Sequence, residues 1–343
     1  MSTNRILELF AGPGGWSEGL RLAGYTGNAT GIEWDTEACE TARAAGHERT
    51  QADVSALNAH HFRDTDGIIA SPPCTGFSPA GKGRGREDAH LLLAALDTVN
   101  TEADIVDVID RLHHQMVDDR SLYVLEPLRF MLALKPAWTA WEQVPVVLPI
   151  WKKCADVLRR NGYTVDTAAL HAEQYGVPQT RRRAILVAHA PWIDTPARLP
   201  EPTHSRYHLR HPGKLDPGLQ KWVSIEDVLG PRPGWQFAGA GATARTTAGQ
   251  IPRNLDEPAH TIAGKGSAAW TPIDPKPGMP STVRVSVEEA GVLQTFRRDY
   301  PWRGTLTAQY RQVGDTVPPR LAQAVLRPIL EAVARDSPRA VAA

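Results

Sequence analysis

Cysteine is scarce in this chain. Three occur in 343 residues (Cys39, Cys74 and Cys154), scattered and odd in number. That excludes a disulfide framework and a Cys-rich zinc site, and it points to a reducing compartment. No apolar run reaches the ~20 residues of a membrane span. Met1 to Arg5 leads straight into a strand-like run, so no signal peptide is expected. Overall net charge is also missing, with 38 basic against 38 acidic residues. Disorder is excluded as well, because 42% of the residues are hydrophobic. At ~150 residues per domain, two domains and a large buried core are expected.

The neutral total hides an asymmetry. Residues 1–60 carry four basic against eight acidic residues, whereas 178–254 carry eleven against five. A basic segment in a neutral chain suits a polyanion. The spacing predicts strands over 5–10, 29–33, 66–71, 136–142 and 184–188. Helices are predicted over 16–23, 36–45, 91–117 and 151–160. The alternation implies an α/β fold, a doubly wound and mostly parallel sheet covered on both faces. Residues 191–282 are rich in Pro, Gly, Thr, His and Arg, which reads as a loop-rich second domain. Helical signal returns at 287–295 and 319–334, and the tail after Asp336 is expected to fray.

Several segments carry chemistry. Phe10-Ala11-Gly12-Pro13-Gly14-Gly15 joins the first strand to the first helix, and its glycines allow close backbone approach to a ligand. No Gly-Lys-Ser/Thr follows, so a triphosphate is not expected. Glu33-Trp34-Asp35 ends the second strand, where an acidic side chain suits ribose hydroxyls, and Asp53 follows at a spacing that fits a nucleoside cofactor. Cys74 stands just past a strand end, stiffened by Pro72 and Pro73, and Gly81-Lys82-Gly83-Arg84-Gly85-Arg86 is a flexible basic loop suited to a phosphate backbone. The histidines at 204, 208 and 211 lack cysteines or an acidic partner at ligand spacing, and no metal is expected.

In order along 5–330, these motifs resemble those of the cytosine-C5 DNA methyltransferases. The resemblance implies a class I, Rossmann-like methyltransferase domain over 1–189, a small target-recognition domain over 190–282 and a C-terminal segment, 283–343, returning to the first. It implies S-adenosylmethionine as cofactor and S-adenosylhomocysteine as product. Phe10, Gly12, Gly14, Gly15, Glu33, Trp34, Asp53, Pro73, Leu122, Asp315 and Val317 would bind the cofactor. Leu122 belongs to a segment, Asp119 to Leu122 with Glu126 and Arg129, that resembles the one beside it. Pro73-Cys74 matches the nucleophile motif. Trp141-Glu142-Gln143-Val144-Pro145 matches the motif that supplies a catalytic glutamate. Gln174 to Arg183 matches a Gln-x-Arg-x-Arg motif, and Gln312 to Pro319 a C-terminal motif that returns to the cofactor. Arg253 to Gly264 resembles the segment bracing the recognition domain.

The implied chemistry is addition of the Cys74 thiolate at C6 of a flipped cytosine, which turns C5 into a nucleophile for methyl transfer. Glu142 would hold N3 and the exocyclic amine. Arg181 and Arg183, alternating on a strand, would share a face toward the base and its phosphate, with Arg182 turned away. A base, unnamed by the sequence and possible as water, removes the C5 proton. Duplex DNA would be contacted by Ser78, Lys82, Arg84, Arg86, Arg206, Arg210, Lys214, Arg253 and Thr261. The expected setting is a cytoplasmic, prokaryotic or phage-encoded monomer, with a cognate restriction endonuclease as a further possible partner. An RNA (tRNA) cytosine methyltransferase, a catalytically silent DNA-binding protein of the same fold and transfer of a group other than methyl remain alternatives. Three positions depart from the family pattern. Thr75 replaces glutamine, which puts loop closure in question. Gln143 replaces asparagine and is expected to orient a loop. Asp315 replaces asparagine and is expected to shift the affinity for S-adenosylmethionine relative to S-adenosylhomocysteine.

Overall fold

The computed structural model describes residues 5–73, 77, 85–239 and 251–336, without the side chains of 85–87. A seven-stranded sheet forms the centre. In chain order its strands are β1 (Arg5–Leu9), β2 (Asn28–Glu33), β3 (Glu48–Gln51), β4 (Gly67–Ala70), β5 (Trp138–Gln143), β6 (Thr164–His171) and β8 (Arg182–His189). Their spatial order is β3-β2-β1-β4-β5-β8-β6. All pairings from β3 to β5 are parallel, and β8 runs antiparallel to both β5 and β6. The sheet is therefore the mostly parallel one expected.

Alternate residues of one strand enter different cores, as the period of two requires. Leu7, Leu9, Ile68, Ala70, Trp141 and Leu186 face the core that contains α3 (Gly85–Leu96), α4 (Glu102–His113), α5 (Glu126–Leu134) and α6 (Leu148–Arg160). Ile6, Ile69, Trp138, Ala140, Ile185 and Val187 face the opposite core, filled by α1 (Gly15–Leu22) and α10 (Pro319–Asp336). α2 (Thr36–Ala44) follows β2, with Asp35 capping its first turn through Ala38 N.

The single helix expected over 91–117 is instead two. Thr101 and Asp104 form a capping box that starts α4, and their mutual backbone bonds cannot form inside a continuous helix. The strand expected over 136–142 starts and ends slightly later, at Trp138 and Gln143. β3, α5, β6 and α9 (Leu306–Asp315) were not expected. In α5, Pro127 sits in the first turn, where its missing N–H costs nothing. Every residue of β6 is half-buried, so it carries no apolar run to read.

Beyond β8 regular structure is sparse. β7 (Gln179–Thr180) pairs with β10 (Ala259–His260), and β9 (Trp235–Ala238), β11 (Ala269–Pro272) and β12 (Val283–Arg284) form a small antiparallel sheet. A third core joins these to α7 (Ile225–Leu229), α8 (Val287–Leu293) and α9 through Phe237, Trp270, Leu293, Tyr310 and Val313. It draws on residues from both sides of position 282. The tail after Asp336 lies outside the described residues. No described helix is long and apolar enough to cross a membrane.

Candidate active site

The order β3-β2-β1-β4-β5 reverses direction between β1 and β4, and in such sheets ligands bind at the carboxyl edge beside that reversal. The glycine loop leaves β1 there. Phe10 and Gly12 both have positive φ, at 55° and 53°, and Phe10 stacks on Tyr123 with ring centroids 5.8 Å apart. The loop is pinned from behind. Arg49 donates to the carbonyls of Gly12 (3.2 Å) and Ala11 (3.4 Å), and Tyr300 Oη donates to that of Pro13 (2.5 Å). A Cβ on Gly12 would meet nothing within 4 Å, so its front is open.

Glu33 ends β2 beneath the loop. Its Oε2 accepts from Gly12 N at 2.8 Å, and Oε1 accepts from Trp34 N at 2.9 Å and Asp35 N at 2.8 Å. Burial pushes this carboxyl above the usual carboxylate range, against the pull of the three N–H groups. The expected ribose ligand is thus engaged with backbone and shapes the loop. Beside it Trp34 leaves 70% of its surface exposed, an expensive display for the largest aromatic side chain. Asp53 is exposed and accepts from Ser55 N (2.9 Å) and Oγ (2.8 Å). Leu122 is not at the surface of the cleft. It packs into the core under α4 and α5, and its segment is held by buried Asp88, which accepts from Ser121 Oγ at 2.7 Å.

The C-terminal motif closes the loop from the other side. A Cβ on Gly15 would collide with Thr316 Oγ1 and the Val317 carbonyl. Gly15→Ala is therefore expected to cost about 1–3 kcal/mol, read as a lower thermal midpoint, because backbone cannot yield as a side-chain tip can.

β4 runs into Ser71-Pro72-Pro73, and β5 ends in Glu142 and Gln143. Glu142 is almost fully buried. Its Oε1 lies 2.7 Å from Arg183 Nε, and its Oε2 accepts from Ser71 Oγ at 3.0 Å. Ser71 in turn accepts from Trp16 Nε1 at 2.8 Å. Both carboxylate oxygens are thus oriented by side chains from three elements. Gln143 Nε2 donates to the Pro72 carbonyl at 2.6 Å and anchors the turn leading toward Cys74. The Trp16–Ser71 relay escaped sequence reading; its one signal is a serine at the carboxyl end of a strand facing the glutamate motif. Cys74 and Thr75 lie outside the described residues, as do Ser78, Lys82, Arg84 and the side chain of Arg86.

Arg181 and Arg183 do not share a face, which corrects the expectation for Arg181. Arg181 falls between β7 and β8, where Arg181 N bonds to Gln179 O at 3.0 Å, and this tight turn breaks the alternation. Its side chain is 0% exposed and donates to the carbonyls of Ile262 (3.0 Å), Gly314 (2.9 Å) and Thr316 (3.0 Å). Arg183 reaches Glu142, and Arg182 is exposed. Arg181 is therefore a clamp on the C-terminal motif. A second correction concerns Arg253, which is 5% exposed and stacked over Tyr207 at 4.2 Å, so it offers no surface to DNA. Thr261 is half-buried and donates to Thr180 O at 2.8 Å. Arg206, Arg210 and Lys214 are exposed.

Asp315, the last residue of α9, is exposed and makes no hydrogen bond or ion pair among the described residues. Protein atoms crowding it raise its carboxyl above the ordinary range, and Glu142 adds to this, while Arg181, Arg183 and Arg311 pull against it.

The profile of the family described as C-5 cytosine-specific DNA methylase matches residues 4–101 and 111–231. The type II methyltransferase M1.HphI of Haemophilus parahaemolyticus is 26% identical over 358 aligned positions, covering 95% of this chain and 86% of that protein. M.NaeI of Lentzea aerocolonigenes, also a type II methyltransferase, is 26% identical and covers 95% of this chain and 74% of its own. The solved structure of the S. pombe Dnmt2 methyltransferase superposes with a TM-score of 0.62 at 16% identity, over 96% of this chain and 99% of that one, and shows the shared fold.

Proposed function

The chain belongs to the C-5 cytosine-specific DNA methylase family, and from that membership we propose that it methylates C5 of cytosine in duplex DNA with S-adenosylmethionine, through a bond from Cys74 to C6 of a flipped base. The observation that carries the reading is the Glu142–Arg183 pair, braced by Ser71, at the carboxyl edge of β5 beside an open-fronted glycine loop. S-adenosylmethionine supplies a methyl group on an electrophilic sulfonium. The residues present suit it: the glycine loop is open in front of Gly12, and Trp34 offers a face for the adenine ring. Trp34→Ala is expected to weaken S-adenosylhomocysteine binding about tenfold by calorimetry, the loss of one aromatic stack.

Cys74 acts as thiolate, because the thiol is a poor nucleophile. With both oxygens oriented, Glu142 is held ready for N3 and the exocyclic amine, and for the positive charge that grows on the ring as sulfur adds. Base flipping brings the target atom to this edge. Residues 1–189 form the catalytic domain in this reading, and 190–282 the recognition domain. Segment 283–343 returns to complete the cofactor site. Arg206, Arg210 and Lys214 meet phosphates. The type II names of the relatives support a place in restriction-modification, with one chain acting on one strand at a time.

The test is transfer of label from S-adenosylmethionine to duplex DNA and, in parallel, to tRNA, with nucleoside mass spectrometry. Label in DNA as 5-methylcytosine is the expected result. Label confined to tRNA would move the substrate to RNA and recast 190–282 as an RNA reader.

A further inference from the structure

Three peptide groups carry the glycine loop from Ala11 to Gly14. In a trans peptide the N–H and the C=O point opposite ways. The first two groups are engaged. Arg49 takes the carbonyls of Ala11 and Gly12, Gly12 N donates to Glu33, and Pro13 has no N–H to offer. The third, Pro13–Gly14, differs. Tyr300 Oη holds its carbonyl, and Gly14 N donates to no group among the described residues. The hydroxyl thus turns the Gly14 N–H away from Tyr300. Gly14 caps the start of α1, where the helix dipole favours an anion.

Tyr300 is itself fixed. It is 4% exposed, with its ring centroid 4.5 Å from that of Phe296 and 4.8 Å from that of Trp302. Trp302 in turn lies against Gly291 of α8, where a Cβ would come 3.2 Å from its Nε1. On the loop side, a Cβ at Gly14 would come 2.7 Å from Tyr300 Oη and 2.8 Å from His47 Cδ2, so the contact leaves no space for a side chain. Burial pushes the phenol well above its ordinary range, and the carboxylates of Glu18 and Glu8 add to this against the pull of Arg49. The hydroxyl therefore stays protonated and donates.

We propose that Tyr300 is a positioning residue for the methyl donor: by holding the Pro13 carbonyl it aims Gly14 N–H at the carboxylate of the donor's amino-acid end. The inference rests on the function proposed above. That carboxylate is the one anionic group of S-adenosylmethionine, whereas the adenosine end falls to Trp34 in that reading.

Two ligands separate aiming from bracing: S-adenosylhomocysteine, and 5′-methylthioadenosine, the same nucleoside thioether without the amino-acid end. Tyr300→Phe deletes the hydroxyl and keeps the ring stack. By calorimetry it is expected to weaken S-adenosylhomocysteine about tenfold and 5′-methylthioadenosine less than about twofold, with duplex DNA affinity unchanged. In label transfer, KM for S-adenosylmethionine should rise about tenfold at unchanged kcat, because binding that is equal in ground and transition states shows only in KM. Tyr163→Phe is the control. It removes a buried hydroxyl that donates to the Pro136 carbonyl at 2.8 Å, at the opposite, amino edge of the sheet. It should lower the melting temperature by a similar amount and leave both ligand affinities as they are. Unchanged S-adenosylhomocysteine affinity in Tyr300→Phe would overturn the inference. Equal losses on both ligands would overturn it too, and leave Tyr300 a brace of the loop alone. A wild-type protein that binds neither ligand would overturn the proposed function itself.

Discussion

Cys74→Ala is expected to abolish methyl transfer, by roughly 10⁴-fold or more, while binding duplex DNA as tightly as the wild type. The split is the informative part. If the thiolate only packed in the cleft, its loss would disturb binding and turnover together. As the nucleophile it contributes to neither groove contacts nor phosphate contacts, so a filter-binding or anisotropy titration should be unchanged while the label-transfer rate vanishes. Residual turnover near the wild-type rate would remove Cys74 from the reaction. The other two cysteines cannot take over, since Cys39 and Cys154 are both buried. Burial pushes the thiol of Cys39 up to about 11 and raises that of Cys154 further, so neither is a thiolate near neutrality.

Arg181→Met should have the largest effect on stability, about 3–5 kcal/mol, or roughly 10 °C in the thermal midpoint. Methionine fills much of the volume but donates nothing. The carbonyls of Ile262, Gly314 and Thr316 would then be buried without the donors they now share. Those carbonyls belong to the segment bracing the recognition region and to the C-terminal motif. The variant should therefore also lose affinity for S-adenosylhomocysteine, though Arg181 need not touch it. An unchanged midpoint would show that the guanidinium is dispensable to the fold and return it to the role of a base or phosphate contact.

Arg181 also shows where sequence reading ends. The central sheet was legible because β1, β4 and β8 are apolar runs bounded by glycine, proline or polar turns, and such runs need no partner to be recognised. The glycine loop, Glu33-Trp34 and Glu142 were legible because their chemistry sits at strand ends. The role of Arg181 was not. It depends on a tight turn at Gln179–Arg181 and on carbonyls 81 to 135 positions away in the chain. Alternation along a strand predicts facing only while the strand is unbroken. Arg253 misled for a related reason: a basic residue in a basic segment reads as surface, yet Tyr207 and the β9 backbone enclose it. β3 and β6 were invisible because a strand that is polar or half-buried throughout has no pattern of its own.

The meeting of the glycine loop with Thr316 and Val317 has a consequence for biosynthesis. Tyr300 reaches Pro13 across 287 positions, and Gln323 reaches the Leu22 carbonyl across 301. Contacts this distant in sequence close late, because the entropy of bringing the ends together is paid before they reward it. A ribosome must therefore extrude more than 300 residues before the glycine loop has its second wall. Every shorter nascent chain can fold most of its central sheet but lacks that wall.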